Sequence, residues 1–288
     1  MMAHFETLNM TAADRQQASG SVHMSVHAGR ANVWFDRPRA RNAMTWAMYE
    51  DMARVCQEIS NRDDVRVAVF RGVGGKAFVA GTDIAQFSEF ESGDDGIDYE
   101  DRIATFVSAV ASLEVPTIAV VEGWAVGGGM AIASVCDFRI ATPGARFGVP
   151  IARTLGNCLS VQNLAVLTAM LGMPMVKRML LLAQMVPAEQ LQANGFVEAI
   201  AEPDALDSCV DGYCEQLGGH APVTMAVTKQ ALSRLLAGAK LVDEDLVRRA
   251  YGSADFHEGV AAFVAKRAPQ WSGKSAISPY TPRSASSR

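Results

Sequence analysis

Polar and apolar side chains alternate along SVHMSVHAG (21–29) and again along RANVWFD (30–36). A period of two is that of a half-buried strand, and Gly29 near the join marks a turn, so an antiparallel pair is expected. The period then lengthens. From Thr45 to Ser60, the residues Trp46, Met48, Tyr49, Met52, Val55 and Ile59 make one broad helical stripe, with Thr45 placed to cap its N-terminus. Val65 to Gly72 is apolar and β-branched without alternation, as in a strand covered on both faces. Two later stretches repeat the order: VPTIAVVEG leads to an apolar helix over Gly127 to Cys136, and DFRIATPGARFGVP leads to another over Ser160 to Gly172. Strand followed by helix, repeated, predicts an α/β fold.

From about Pro174 only helical patterns remain, cut by Pro187, Gly195, Pro203, Gly218, Gly219 and Pro222. The expected organisation is a flexible extension over 1–20, an α/β core over 21–200, a helical region over 201–268 and a disordered tail over 269–288. One stretch stands apart. Glu89, Glu91, Asp94, Asp95, Asp98, Glu100 and Asp101 follow one another with no counter-charge before Arg102. Such a charge run reads as a solvated, mobile loop, or else as a lid over a pocket.

Composition narrows the functional classes. Hydrophobic residues make up 49% and charged residues 20%, ordinary for a folded enzyme. The net charge of −5 offers no basic face to nucleic acid. Cys56, Cys136, Cys158, Cys209 and Cys214 are scattered and never form Cys-x-x-Cys, which fits a reducing, cytoplasmic setting and no zinc site. No apolar run is long enough to span a membrane, and the first twenty residues lack the apolar core of a secretory signal.

The chemistry lies where strands hand over to helices. Gly127, Gly128 and Gly129 open an apolar helix, whose first N–H groups have no intrahelical partners and suit an anion or a developing oxyanion. The same glycines could serve only to let the helix pack closely on a sheet. A second strand end, GVGGKAFVAGTDIAQF (72–87), is also glycine-rich and runs through Ala80, Gly81, Thr82 and Asp83 toward a helix. An oxyanion held by two donors from separate backbone segments needs such a pair of loops.

The segments FDRPRARNAM, GVGGKAFVAGTDIAQF, VPTIAVVEGWAVGGGMAIASVCDFRIAT, RFGVP, NGFVEAI and EGVAAFVAKR occur in this order. With them the chain resembles the crotonase superfamily, the enoyl-CoA hydratase/isomerase family, from about Ser21 to Arg267. The resemblance implies a spiral of ββα units with a C-terminal helical trimerisation region, assembled as trimers or dimers of trimers. It implies an acyl-CoA substrate whose thioester oxygen sits between the N–H groups of Thr82 and Gly128, and no metal or other cofactor, since CoA arrives with the substrate. Residues matching the family's substrate contacts are Arg39, Ala40, Arg41, Lys76, Ala80, Asp83, Ile84, Phe263 and Lys266.

The chain departs from the hydratase pattern at the two positions that carry glutamates in well-known hydratases, which here are Ala131 and Ile151. Neither moves a proton. Glu122, Glu89 and Glu91 are other carboxylates that could reach the pocket, and Arg153 or Cys158 could orient or attack a substrate. Asp83 and Asp137 read as a helix cap and a turn-fixing group. Met44, Trp46, Met48, Phe87, Trp124 and Met130 could shape an acyl pocket or simply belong to the core. The expected activity is that of a lyase or isomerase acting through a thioester enolate. Decarboxylation or thioester hydrolysis on the same site, and a non-catalytic CoA-binding relative, are the alternatives.

Overall fold

The opening hairpin pairs β1 (Ser21–His27) with β2 (Arg30–Asp36), residue against residue from Ser21 opposite Asp36 to His27 opposite Arg30. Its turn needs positive φ at both central residues, and Ala28 (49°) and Gly29 (78°) supply it. The computed structural model describes residues 19–87, 90, 92–236 and 244–273. The helix Trp46–Ser60 follows, with the Thr45 hydroxyl accepting the Met48 N–H at 3.3 Å.

The chain then alternates between two sheets. β3 (Val67–Gly72), β5 (Thr117–Val121) and β7 (Phe138–Ala141) run parallel in one, while β4 (Ala77–Val79), β6 (Trp124–Val126) and β8 (Arg146–Gly148) run parallel in the other. A helix closes each turn: Gly93–Ala111 after β4, Gly128–Val135 after β6, and Ile151–Thr154 with Val161–Leu171 after β8. This is a spiral of ββα units.

Side-chain alternation along the strands builds two cores. Ala68 and Phe70 of β3 face the larger one, with Phe35, Phe78, Met48, Met52 and Phe147. Val67 and Val69 point the other way, with Ile118, Val120 and Ile140, beneath Leu206, Val210 and Leu217 of the helix Leu206–Gly218. Burial on both faces accounts for the unbroken apolar runs of β3 and β5.

Several expectations need correction. The segment beyond Pro174 is not purely helical: β9 (Val186–Pro187) pairs with β8 and β10 (Ala199–Ile200) with β7, each closing the edge of a sheet. The acidic stretch is not a loop beyond Ser92. Ser92 and Asp95 form a reciprocal capping box, and Asp94 and Asp95 sit in the first turn of the Gly93–Ala111 helix, where its dipole favours negative charge. Glu89 and Glu91 lie outside the described residues. Finally, the start of the expected tail is held. The Trp271 indole N–H donates to the Gly219 carbonyl at 2.9 Å, and Asp255 accepts the N–H groups of Ser272 and Gly273.

Two polar residues, one half-buried and one buried, lock the spiral. Asp137 does not fix a local turn; its carboxylate accepts both the N–H (2.7 Å) and the hydroxyl (2.9 Å) of Thr117 and pairs with Lys229 of the helix Pro222–Leu236. Arg139, only 5% exposed, spends its guanidinium on the carbonyls of Phe196, Ala133, Cys136 and Asp137, and so ties down the C-terminal end of the Gly128–Val135 helix. Burial lowers its pKa from the ordinary value. Arg139→Lys keeps the charge and loses the planar fork. It is expected to destabilise by about 2 kcal/mol, the scale of one hydrogen bond to a charged group, as read from the urea midpoint.

Candidate active site

β4 and β6 are parallel neighbours, so their C-terminal ends open on the same side of the sheet. Packing there is close: a Cβ on Gly129 would lie 2.0 Å from the Val79 carbonyl oxygen, which leaves no room for a side chain, and one on Gly127 would come into ordinary contact with the Gly81 Cα at 3.8 Å. Gly81 (φ 123°) and Gly127 (φ 53°) also take backbone angles that L side chains rarely adopt.

The glycines bring two N–H groups to one place. The Gly127 carbonyl accepts the Ala131 N–H at 3.0 Å, so Gly128 is the first residue of its helix and its own N–H lacks an intrahelical acceptor. Thr82 forms an isolated bridge to Met44, in which Met44 N–H donates to the Gly81 carbonyl and Asp83 N–H to the Met44 carbonyl, both at 2.8 Å. Backbone groups alternate in direction along extended chain, so the Thr82 N–H points away from Met44. Among the described residues neither donor has a protein acceptor. Thr82 and Gly128 line one cavity of about 200 Å³, whose other walls are largely apolar, Ile84, Phe87, Ile103 and Leu159 among them.

A chain of hydroxyls sits beneath the donors. Thr82 Oγ1 lies 2.9 Å from Tyr49 Oη and 2.9 Å from Tyr99 Oη. Tyr49 is fully buried and, among the described residues, has no acceptor except Thr82, so its proton goes there. Three hydroxyl protons share two contacts, which leaves one, on Thr82 or Tyr99, to donate into the cavity that both residues line. Burial raises both phenols, Tyr99 to about 12, and keeps them protonated. Tyr49→Phe is expected to lower kcat by about 3- to 10-fold with KM little changed, the cost of one neutral hydrogen bond. Steady-state kinetics on a thioester that the protein turns over would check it.

One carboxylate lines this cavity among the described residues, and it is Glu100. Its Oε2 accepts the Ser160 N–H at 2.8 Å. Burial pushes the carboxyl up from its ordinary value, against the lowering effect of hydrogen bonds from Ser160 and Asn163. Counting charges along the sequence hid Glu100 among seven acidic residues. The signal that could have found it is Tyr99, Ile103, Val107 and Val110 at helical spacing behind Ser92 and Asp95, which makes the segment an amphipathic helix with Glu100 beside its buried stripe.

Residues 26–274 match the family model described as Enoyl-CoA hydratase/isomerase. The chain belongs to the enoyl-CoA hydratase/isomerase family, within the crotonase superfamily. It is 31% identical over 241 residues to a short-chain-enoyl-CoA hydratase of Clostridium acetobutylicum, covering 82% of this chain and 92% of the relative. It is 29% identical over 262 residues to an (E)-benzylidenesuccinyl-CoA hydratase of Thauera aromatica, covering 88% and 99%. A solved enoyl-CoA hydratase/carnithine racemase from Magnetospirillum magneticum superposes with a TM-score of 0.82 at 27% identity, covering 89% of this chain and 98% of that one.

The fold brings some of the residues expected from the family resemblance together. Asn42, fully buried, accepts the Arg37 N–H and donates to the Val73 and Ala77 carbonyls, while Ala80 N–H donates to the Arg41 carbonyl. The turn holding Arg39, Ala40 and Arg41 is thereby fastened to the loop holding Lys76, with the three cationic side chains exposed. Asn42 has no counterpart in the sequence reading. Ala80 and Ile84 line the cavity, and Asp83 caps the short Ile84–Phe87 turn through Ala85 N–H while pairing with Arg37 at 2.7 Å. Ala131 and Ile151, the two positions without glutamates, also line the cavity.

Others are placed elsewhere. Glu122 is held by Arg71 at 2.6 Å, and Arg71 also binds Asp207, so this carboxylate faces an ion-pair cluster and not the cavity. Arg153 and Cys158 are exposed; the wall passes through Thr154, Leu155, Asn157 and Leu159 and leaves both out. Phe263 falls in the helix Ala254–Val264, and Lys266, just beyond it, is exposed and is not among the residues that line the cavity. Of the six residues considered for an acyl pocket only Phe87 lines it, because Met44, Met48 and Met130 are fully buried in the core.

Proposed function

We propose that this family member processes an acyl-CoA thioester by holding its carbonyl oxygen between the N–H groups of Thr82 and Gly128 while an enolate forms. The observation that carries the reading is the pair of unpartnered donors set side by side at the ends of β4 and β6, at an apolar cavity. Charge that develops on the thioester oxygen meets donors already in place, and each such donor is worth about 2.7–4 kcal/mol of transition-state stabilisation. Arg39, Arg41 and Lys76 would bind the phosphates of CoA. The cavity takes an apolar acyl group. Assembly as trimers or dimers of trimers belongs to the same reading and is supported by the exposed Leu232, Leu235 and Leu236 on the helix Pro222–Leu236; light scattering would report the mass.

The testing experiment is turnover of a mixed panel of 2-enoyl, 3-enoyl, malonyl-type and aromatic thioesters in H₂¹⁸O and in D₂O, followed by mass. Uptake of deuterium without gain of water is the expected outcome, because Ala131 and Ile151 leave no pair of glutamates to hold a water molecule. Gain of ¹⁸O at carbon 3, loss of CO₂ or release of free CoA would assign hydration, decarboxylation or hydrolysis instead. CoA binding with no turnover of any thioester would assign the non-catalytic role.

A further inference from the structure

Resting on the acyl-CoA reading above, we propose that Glu100 is the acid–base residue of this site, moving a proton along the acyl group of a thioester held at Thr82 and Gly128. Glu100 reaches the cavity from the helix Gly93–Ala111, a different element from those that carry positions 131 and 151. It is the only carboxylate among the described residues that line the cavity. The space, about 200 Å³, is smaller than the roughly 300–1,000 Å³ usual for ligand pockets. A thioester seated on the two N–H groups therefore has its nearby carbons within reach of the Glu100 side chain.

Placement of the carboxylate is firm. One oxygen, Oε2, is fixed by the Ser160 N–H, and Ser160 in turn caps the helix Val161–Leu171 through Asn163 N–H. Hydrogen bonds from the Ser160 and Asn163 side chains hold the same carboxyl, at the wall of the cavity. Burial favours the neutral form, as a group that must both take and give a proton requires.

With one carboxylate, both halves of a proton transfer fall to the same group. The ionised Glu100 takes a proton from carbon 2 of a 3-enoyl thioester. The C–H electron pair moves onto the thioester oxygen as a dienolate, held by the Thr82 and Gly128 N–H groups. The Glu100 carboxyl exchanges its proton with solvent and delivers a solvent-derived proton to carbon 4, and the dienolate collapses with its double bond between carbons 2 and 3. No water is added and nothing is oxidised.

Glu100→Gln keeps an oxygen for the Ser160 N–H and cannot carry the proton. It is expected to lower the rate of deuterium incorporation from D₂O into a 3-enoyl-CoA by about 10²- to 10⁴-fold, with thioester binding and the unfolding midpoint unchanged. Glu100→Asp keeps a carboxyl group and is expected to lose less. Equal losses in the two variants would overturn the acid–base role in favour of a strut between two helices. Wild-type exchange in Glu100→Gln, with exchange lost in Gly128→Ala, would overturn the proposal and leave the oxyanion site standing. No exchange by the unaltered protein on any thioester of the panel would overturn both.

Discussion

Gly128→Ala is expected to lower kcat/KM on acyl-CoA thioesters by about 10²- to 10³-fold while leaving the fold intact, the scale of losing one oxyanion donor. The N–H itself survives in alanine; its position does not. The new Cβ would lie 2.4 Å from the Tyr49 hydroxyl oxygen and 3.4 Å from Thr82 Oγ1. Tyr49 is packed against Trp46 and Phe106 and cannot swing away, so the backbone carrying the Gly128 N–H has to move. The next atom of that ring, Cζ, is 3.7 Å from the added carbon, an ordinary contact. Tyr49→Phe in the same chain therefore removes the clash, and the double variant should recover about ten-fold over Gly128→Ala alone even though Tyr49→Phe by itself costs activity. A double variant no better than the single one would show that the loss has another origin. Circular dichroism on all four proteins keeps folding apart from catalysis.

Gly129→Ala, one residue along, acts on stability. Its Cβ would lie 2.0 Å from the Val79 carbonyl oxygen and 2.8 Å from the Val79 carbonyl carbon. These are main-chain atoms of β4, hydrogen-bonded to β6, and no side-chain rotation relieves them. The helix Gly128–Val135 would have to lift from β4, opening the core at Met130, Ile132 and Ala133, all fully buried. Overpacking of this kind costs about 1–3 kcal/mol when side chains can yield, and more is expected where only backbone can. Urea unfolding should show the midpoint fall sharply, or soluble protein fail to accumulate. The comparison is Gly212→Ala in the helix Leu206–Gly218, where nothing lies within 4 Å of an added Cβ. There the substitution should gain about 0.5–1 kcal/mol from helix propensity alone.

Elements whose signal is local were readable in advance. The hairpin of β1 and β2 follows from alternation and a turn, the helix Trp46–Ser60 from one apolar stripe and a threonine cap, and the helix Val161–Leu171 from its position between a polar cap and Gly172. The acidic segment was misread because charge dominated its composition while the helical signal lay in four apolar positions and a two-residue cap. β9 and β10 are two residues each, too short for any period to register. Asn42 joins loops 31 and 35 residues apart in sequence, and no local pattern marks such a contact.

The sequence by itself determined the family, the ββα order and the two glycine-rich strand ends, because motif order, side-chain period and the need for glycine are properties of neighbouring residues. Only the tertiary structure decided which carboxylate faces the cavity. Glu122 stands at the end of a core strand yet is taken by Arg71, whereas Glu100 lies in a charged run yet lines the same cavity as Thr82 and Gly128. Which side chains share a cavity depends on how the helix Gly93–Ala111 packs against the helices Trp46–Ser60 and Gly128–Val135, a relation between segments apart in the chain.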